Sequence, residues 1–385
     1  MTDGQDRAWA EIDLDRAASN MRKIRGIIHS KSMVMAVVKA NAYGHGMSRM
    51  AKVFLENGAD RLAVACLDEA LCLRHNGISA PVQNLGYTPP SRMDESLDNQ
   101  VILTVSSIDN ALTLSRIACR RKTSATIHIK LDTGMGRMGF LCNKHLCMQV
   151  GQIVRLPGLC VEGIMTHFAA ADQENTEYTH MQFQQFLDQC AILDKEGIHI
   201  PIRHAANSAA VFNYPETHVD MVRPGIALYG LYSGYLRHAS TTLEPVMTLK
   251  ARIVQVKKLN AGVPLGYGGS YTTVRRSSIA TISAGYADGY LRRLSNSGYV
   301  YIGEEYAPVV GNVCMDQCMA DITDLQGDVR VGQEVVLYGG QSKASMACIA
   351  QRHGAITYEL PCGLGPRVPR IYYTSNVDMG LVSRF

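Results

Sequence analysis

The sequence predicts an α/β fold: a (β/α)8 barrel of the TIM type, followed by a mainly β C-terminal domain. Three observations predict it. A short apolar run, a loop and an amphipathic helical stretch recur from about residue 34 to 230. The unusual polar residues fall at the C-terminal ends of the apolar runs. After Thr241 the helical period fades and strand-like runs separated by Gly-rich turns take over.

The apolar runs are VMAVVKA at 34–40, RLAVACL at 61–67, VQNLG at 82–86, VILTV at 101–105, ATIHIKLD at 125–132, VEGIMTHF at 161–168, IRHAAN at 202–207 and MVRPGIALYG at 221–230. Each is short, β-prone and almost continuously apolar, as buried parallel strands are. Helical stretches such as 47–57, 107–121 and 174–196 lie between them. The count is eight strand–helix units, the third being the weakest, and eight favours a closed barrel over an open doubly wound sheet. Beyond 241 the runs MTLKARIVQV, SSIATISAGY, YVYIG and VGQEVVLYGG read as strands, with one helix around 344–353. The expected division is a barrel over 12–240 and a β domain over 241–385, with residues 1–11 packing on the latter. A chain of 385 residues is long enough for both.

The bulk numbers exclude several function classes. With 46% hydrophobic and 19% charged residues, the chain is globular. A net charge of +4 is too weak for a dedicated nucleic-acid binder, though it suits small anionic ligands. No basic, then apolar, leader opens the sequence, and no apolar stretch approaches the ~18 residues of a membrane span. The 11 cysteines are odd in number, and none forms a C-x-x-C pair. Reduced thiols in a cytoplasmic protein, with no metal site, are the expectation.

In such a barrel the working face lies at the C-terminal ends of the strands. Lys39 ends the first run, Arg137 follows the fifth, His167 ends the sixth, Asn207 and Ser208 end the seventh, and Arg223, Pro224 and Gly225 lie in the eighth. Distant in sequence, they would converge on one mouth. Lys39 sits in AVVKANAYGHG, directly after apolar residues. A strand-end lysine can simply snorkel to water. It can also be a desolvated amine of lowered pKa, suited to Schiff-base chemistry. A tyrosine four residues on and a Gly-His-Gly turn opening a helix favour the second reading.

AVVKANAYGHG closely resembles the pyridoxal phosphate (PLP)-binding signature of the alanine racemase family. WAEIDLD at 9–15, KLDTGMGRMGF at 130–140, MTHFAAAD at 165–172, HAANSAA at 204–210 and MVRPGIALYG at 221–230 are similar to family segments in the same order. So are LGYGGSY at 265–271, SAGYADGY at 283–290, GNVCMDQ at 311–317 and ITYELPC at 356–362. The resemblance spans nearly the whole chain. It implies a PLP-binding barrel with a C-terminal β domain, a homodimer with shared active sites, and interconversion of L- and D-alanine, which in bacteria usually supplies D-alanine for peptidoglycan.

The resemblance also implies roles. Lys39 corresponds to the lysine bonded to pyridoxal 5'-phosphate, and Tyr267 to a second catalytic base reaching in from the partner subunit. Racemisation removes a proton from one face and returns one to the other, so a base on each face is the simple solution. Arg223 resembles the arginine facing the pyridine nitrogen; a guanidinium only donates. His167 and His204 match its neighbours. Tyr43, Ser208, Gly225, Ile226 and Tyr358, with Asn207 adjacent, match the phosphate cradle, where the amides of a helix start and a Cβ-free glycine suit an anion. Arg137 resembles the arginine contacting the cofactor's phenolic oxygen and the substrate carboxylate. Met315 matches a partner-subunit residue whose backbone binds that carboxylate. Lys130 aligns with a lysine carbamylated in many members. Tyr286 and Tyr358 match tyrosines that narrow the entrance, and Asp172 and Arg292 its outer rim. Asn312 departs from the pattern, since many relatives carry arginine there.

Three rivals stand beside this reading. The first is a racemase of serine or of broad specificity, which Tyr358 disfavours but one hydroxyl discriminates only weakly. The second is a non-enzymatic PLP-binding barrel protein, which would lack a second domain and a second base. The third is a PLP-barrel decarboxylase, which would carry glutamate where Arg223 stands.

Overall fold

A computed structural model describes residues 7–232, 234–236, 241–340, 344–375 and 377–382. Eight parallel strands, Met33–Val37, Arg61–Val64, Val82–Asn84, Val101–Val105, Ala125–Asp132, Leu159–Met165, Ile202–His204 and Met221–Val222, close into a barrel. Closure is seen where Val101–Val105 pairs with both Val82–Asn84 and Ala125–Asp132. All eight apolar runs of the sequence supply these strands. Most of their side chains are buried (every residue of Val101–Val105 is, and the first four of Leu159–Met165 are not), because helices cover the outside and packed side chains fill the inside.

The helices Met47–Glu56, Ile108–Arg120 and Glu177–Lys195 fall within the stretches expected from periodicity. Ser107 caps the second of them by accepting from the Asn110 N–H. The last strand departs from the eight-unit reading, being followed only by a 3-10 turn, Ile226–Tyr229. The helix Leu14–Ile27, which precedes the first strand, packs there instead. Its Asn20 side chain donates to the carbonyls of Leu228, at 3.3 Å, and Glu244, at 2.8 Å. A continuous MVRPGIALYG run reads as one strand, but Pro224 removes a ladder donor and the strand stops at Val222.

The second sheet is built on the long strand Met247–Leu259, with Ala8–Asp13, Ser277–Ile282 and Glu334–Tyr338 hydrogen-bonded to it. Ala8–Asp13 also pairs in parallel with Arg370–Thr374. The chain thus enters through the second sheet, crosses to the barrel and returns. The expected division at 240/241 adjoins residues 237–240, and these, with 1–6 and 383–385, lie outside the described residues. Among the described residues no helix is long and apolar enough to cross a membrane.

Candidate active site

Lys39 lies two residues beyond the first barrel strand and opens a turn in which Ala40, Asn41, Ala42 and Tyr43 have φ of 52°, 53°, 55° and 50°. Left-handed backbone costs an L-residue roughly 1–2 kcal/mol, so a run of four persists only where its surroundings hold it. The Glu69 carboxylate accepts from the N–H groups of Ala40 (2.5 Å) and Ala65 (2.8 Å). Asn41 Oδ1 accepts from Met47 N–H at 2.8 Å. From the second sheet, Arg370 Nε donates to the Gly44 carbonyl at 3.1 Å and the Tyr372 hydroxyl to the His45 carbonyl at 3.0 Å. Gly44 continues the turn at φ 82°, and a Cβ there would lie 1.9 Å from the Pro361 carbonyl oxygen. The turn therefore tolerates no side chain at this point. It directs Lys39 and Tyr43 into the same cavity.

That cavity, about 520 Å³, opens at the C-terminal ends of the barrel strands. Its walls bring together Lys39, Tyr43, Lys130, Arg137, His167, Asp172, Asn207, Ser208, Arg223, Gly225, Ile226 and Tyr358. Burial, then the charge of Arg137, lowers the pKa of Lys39. Lys130 is pushed down to about 8 by burial and by Arg137 and Arg223. No carboxylate lies within ion-pairing distance of its amine among the described residues. A neutral His167 follows from burial and from Arg223 and Arg137. The cavity is thus a desolvated, cation-lined pocket, suited to an anion.

One wall fits a phosphate. The Ser208 hydroxyl accepts from Gly225 N–H at 2.7 Å and lies 3.4 Å from Ala227 N, which draws the seventh and eighth strand ends together. Asn207 caps the short helix Ser208–Asn213 by accepting from Ala210 N–H at 3.0 Å. At Gly225 a Cβ would lie 2.5 Å from the Tyr43 hydroxyl, so a side chain there would displace Tyr43 from this wall. The Tyr43 and Tyr358 rings, 5.9 Å apart, close the side.

Arg223 is held on four acceptors, and its depth explains why. Its Nη2 donates to the carbonyls of Thr166 (2.7 Å) and Ala205 (3.0 Å) and faces His167 Nδ1 at 3.4 Å. Its Nη1 donates to His204 Nδ1 at 3.0 Å. Burial lowers its pKa, but only to about 9, so it remains a cation at neutral pH. Because a guanidinium only donates, His204 must carry its proton on Nε2. That nitrogen lies 2.7 Å from His128 Nδ1, which therefore accepts. His128 Nε2–H then donates to Glu162 at 3.0 Å, and Arg61 grips Glu162 with two hydrogen bonds, of 2.7 and 3.0 Å. One proton arrangement is thereby fixed from the mouth to the bottom of the barrel. Arg61, His128, Glu162 and Glu69 were not among the site residues expected from the sequence. A histidine and a glutamate inside otherwise apolar runs were the available signal.

The hydrogen bond from His128, with Arg61, holds the Glu162 carboxyl at about 2 against an ordinary 4.5. A depressed carboxyl gives stability that is complete above its unfolded pKa and is lost as pH falls through the folded one. Glu162→Gln should therefore lower stability by about 2 kcal/mol at pH 7, and the gap to the parent should close between pH 4.5 and 2. Thermal unfolding across that range checks this, and a gap independent of pH would contradict it.

Four expected site residues lie outside the cavity, on the second sheet's side. Tyr267 is 74% exposed and Met315 51%, with Tyr286 and Arg292 also exposed. Three of them share one support. Asn312 Nδ2 donates to the Tyr267 carbonyl at 2.8 Å, and Tyr286 N–H and Ala287 N–H donate to the Cys314 and Met315 carbonyls, both at 3.0 Å. Beneath, fully buried Asp288 pairs with Arg7 and, at 2.9 Å, with Arg367. The chain thus carries this cavity and, outside its lining, an exposed patch displaying Tyr267, Met315 and Tyr286.

Residues 12–233 match the family model "Alanine racemase, N-terminal domain", and residues 246–372 match "Alanine racemase, C-terminal domain". The chain is 45% identical over 377 residues to an alanine racemase of Clostridium tetani, covering 97% of each. It is 46% identical over 365 residues to one of Desulforamulus reducens, covering 94% of this chain and 98% of the other. Among solved structures, an alanine racemase of Clostridium difficile 630 superposes with a TM-score of 0.95 at 38% identity, covering 98% of this chain and 99% of that one. An alanine racemase of Bacillus anthracis with bound L-Ala-P gives 0.90 at 35% identity, covering 98% and 97%.

Proposed function

The chain belongs to the alanine racemase family, and from that premise we propose that it interconverts L- and D-alanine with two bases, Lys39 of one subunit and Tyr267 of its partner. One observation carries this reading: the cavity contains Lys39 and the anion cradle, while Tyr267 stands 74% exposed on a patch elsewhere on the same chain. A base serves no purpose in water, whereas a second copy can bring that patch over the cavity mouth. The enzyme is then a homodimer whose two sites are both shared.

Pyridoxal 5'-phosphate, on which the family depends, supplies when bound the electron sink that acidifies the substrate's α-proton. Lys39 would hold it covalently, with Tyr43, Ser208, Gly225, Ile226 and Tyr358 around its phosphate and Asn207 adjacent. His167 and Arg223 would lie against its ring. Arg223 donates a hydrogen bond and keeps its proton. Lys39, with its pKa lowered by burial and Arg137, moves a proton on one face of the amino acid. Tyr267 of the partner subunit does so on the other. Arg137 and the partner's Met315 backbone would orient the substrate carboxylate.

Lys130 is the candidate for carbamylation. An amine with pKa about 8 is partly neutral at physiological pH, and the Arg137 and Arg223 cations beside it would favour a carbamate anion. Tyr286, Tyr358, Asp172 and Arg292 would form the entrance, and the assembly would work in the cytoplasm on free alanine. Steady-state kcat/KM for L-alanine, L-serine and a longer amino acid tests the substrate assignment. Alanine should lead, with serine as a side activity, and serine at or above alanine overturns it.

A further inference from the structure

We propose that Asn312 is a positioning residue for Tyr267, and that it works with Asn296 as a clasp on the loop carrying that base. This role rests on Tyr267 being the second base. The loop is a tight turn between the paired strands Pro264–Leu265 and Tyr271–Thr272, and its own backbone contributes one closing hydrogen bond, from Gly269 N–H to the Gly266 carbonyl at 3.1 Å. Residues 266–270 are exposed, and Gly266, Gly268 and Gly269 have positive φ. Among the described residues, a small apolar cluster of Leu265, Ile279 and Val310 packs near it, with Leu259, Tyr271 and Met319 partly buried against that cluster. Glycine-rich backbone of this kind has many alternatives to the observed turn.

Two asparagine side chains remove them. Asn312 Nδ2 donates to the Tyr267 carbonyl at 2.8 Å. Asn296 Nδ2 donates to the Ser270 carbonyl at 3.1 Å, while its Oδ1 accepts from Gly311 N–H at 2.6 Å. The loop is thus fastened at both ends to one segment, 311–312. The residues that follow it are tied down as well: Val313 N–H donates to Ser295 Oγ at 2.9 Å and Cys314 N–H to the Gln317 carbonyl at 2.9 Å. Asn312 therefore sets Tyr267 at a fixed place relative to Met315. An asparagine suits the task because its short neutral amide reaches a backbone carbonyl with little rotamer freedom to lose.

The test compares the PLP-loaded parent with Asn312→Ala, Asn312→Asp, Asn296→Ala and Tyr267→Phe. Asn312→Asp keeps the side-chain shape but lacks the donor, so it carries the test should the alanine variant fail to fold. Losing the clasp should lower kcat on the order of 10- to 100-fold through misplacement of the base, with KM and the visible spectrum essentially unchanged. Kinetics with α-deuterated substrate separate positioning from general damage. When Tyr267's step becomes slow, the isotope effect rises in the direction where Tyr267 removes the deuteron. It falls in the opposite direction, where Tyr267 delivers a solvent proton. Asn312→Gln, which restores a donor, should recover part of kcat. Parent-like kcat in Asn312→Ala and Asn312→Asp, or isotope effects moving together in both directions, overturns the clasp. An inactive Tyr267→Phe beside parent-like Asn312 variants sinks the clasp alone, whereas a parent-like Tyr267→Phe sinks the two-base reading and the clasp with it.

Discussion

Lys39→Ala should lose the visible absorbance of the bound cofactor and at least about 10³-fold of racemase activity, the scale of a removed general base. The expectation is specific because the cavity contains two lysines, Lys39 half-buried and Lys130 buried. Burial and Arg137 lower both. They differ in what surrounds them. Lys39 opens the left-handed turn that also delivers Tyr43 to the cavity, so the same five residues place the amine and one side chain of the proposed phosphate cradle. Lys130 instead lies on the barrel strand Ala125–Asp132, between two arginines that a carbamate would neutralise. Lys130→Ala should therefore keep the chromophore and raise KM, through loss of Arg137's support, whereas Lys39→Ala removes the chromophore outright. Unchanged circular dichroism would show that Lys39→Ala still folds. A borohydride-reducible link retained in Lys39→Ala would overturn the assignment.

The barrel was legible because buried parallel strands need apolar residues on both faces, and such runs stand out without knowledge of their partners. VILTV and RLAVACL could be placed on sight. The second sheet was less legible. Glu305–Pro308, Cys318–Asp321, Arg370–Thr374 and Val377–Val382 are short strands defined by neighbours far along the chain. The cavity residues were recognisable as types at strand ends and as matches to family motifs, but not what holds them. Nothing in KANAY announces left-handed backbone. Gly44 and Gly46 hint at a tight turn, yet of the stabilising groups only Asn41 is local, and Glu69, Arg370 and Tyr372 come from farther along the chain. The Arg61–Glu162–His128–His204–Arg223 chain is likewise a product of barrel closure. It joins residues 19 to 101 positions apart, and no periodicity encodes it. Asn312 was visible only as a departure. Its hydrogen bond to the Tyr267 carbonyl gave that departure a physical reading.

Mixing Lys39→Ala chains with Tyr267→Phe chains should restore activity that neither has alone. Each parent variant should be depressed by about 10²-fold or more, since each lacks one general acid–base group. The reason for restoration is geometric. In a two-fold dimer the same patch of each chain covers the other's cavity. A heterodimer then pairs Lys39 of one chain with Tyr267 of the other in one intact site, while its second site lacks both bases. If chains redistribute at random in a one-to-one mixture, half the dimers are mixed and each has one of two sites, so about a quarter of parental activity should return. Were Tyr267 to act within its own chain, every site would lack one base and nothing would return. Heterodimers purified by two different tags should therefore be active, and an inactive purified heterodimer would refute the shared site. The same geometry gives a second, independent readout. Diluting the parent enzyme until it dissociates should abolish racemisation while the visible chromophore persists, because Lys39 and the cradle belong to one chain whereas Tyr267, 74% exposed on its own subunit, does not reach that chain's cavity.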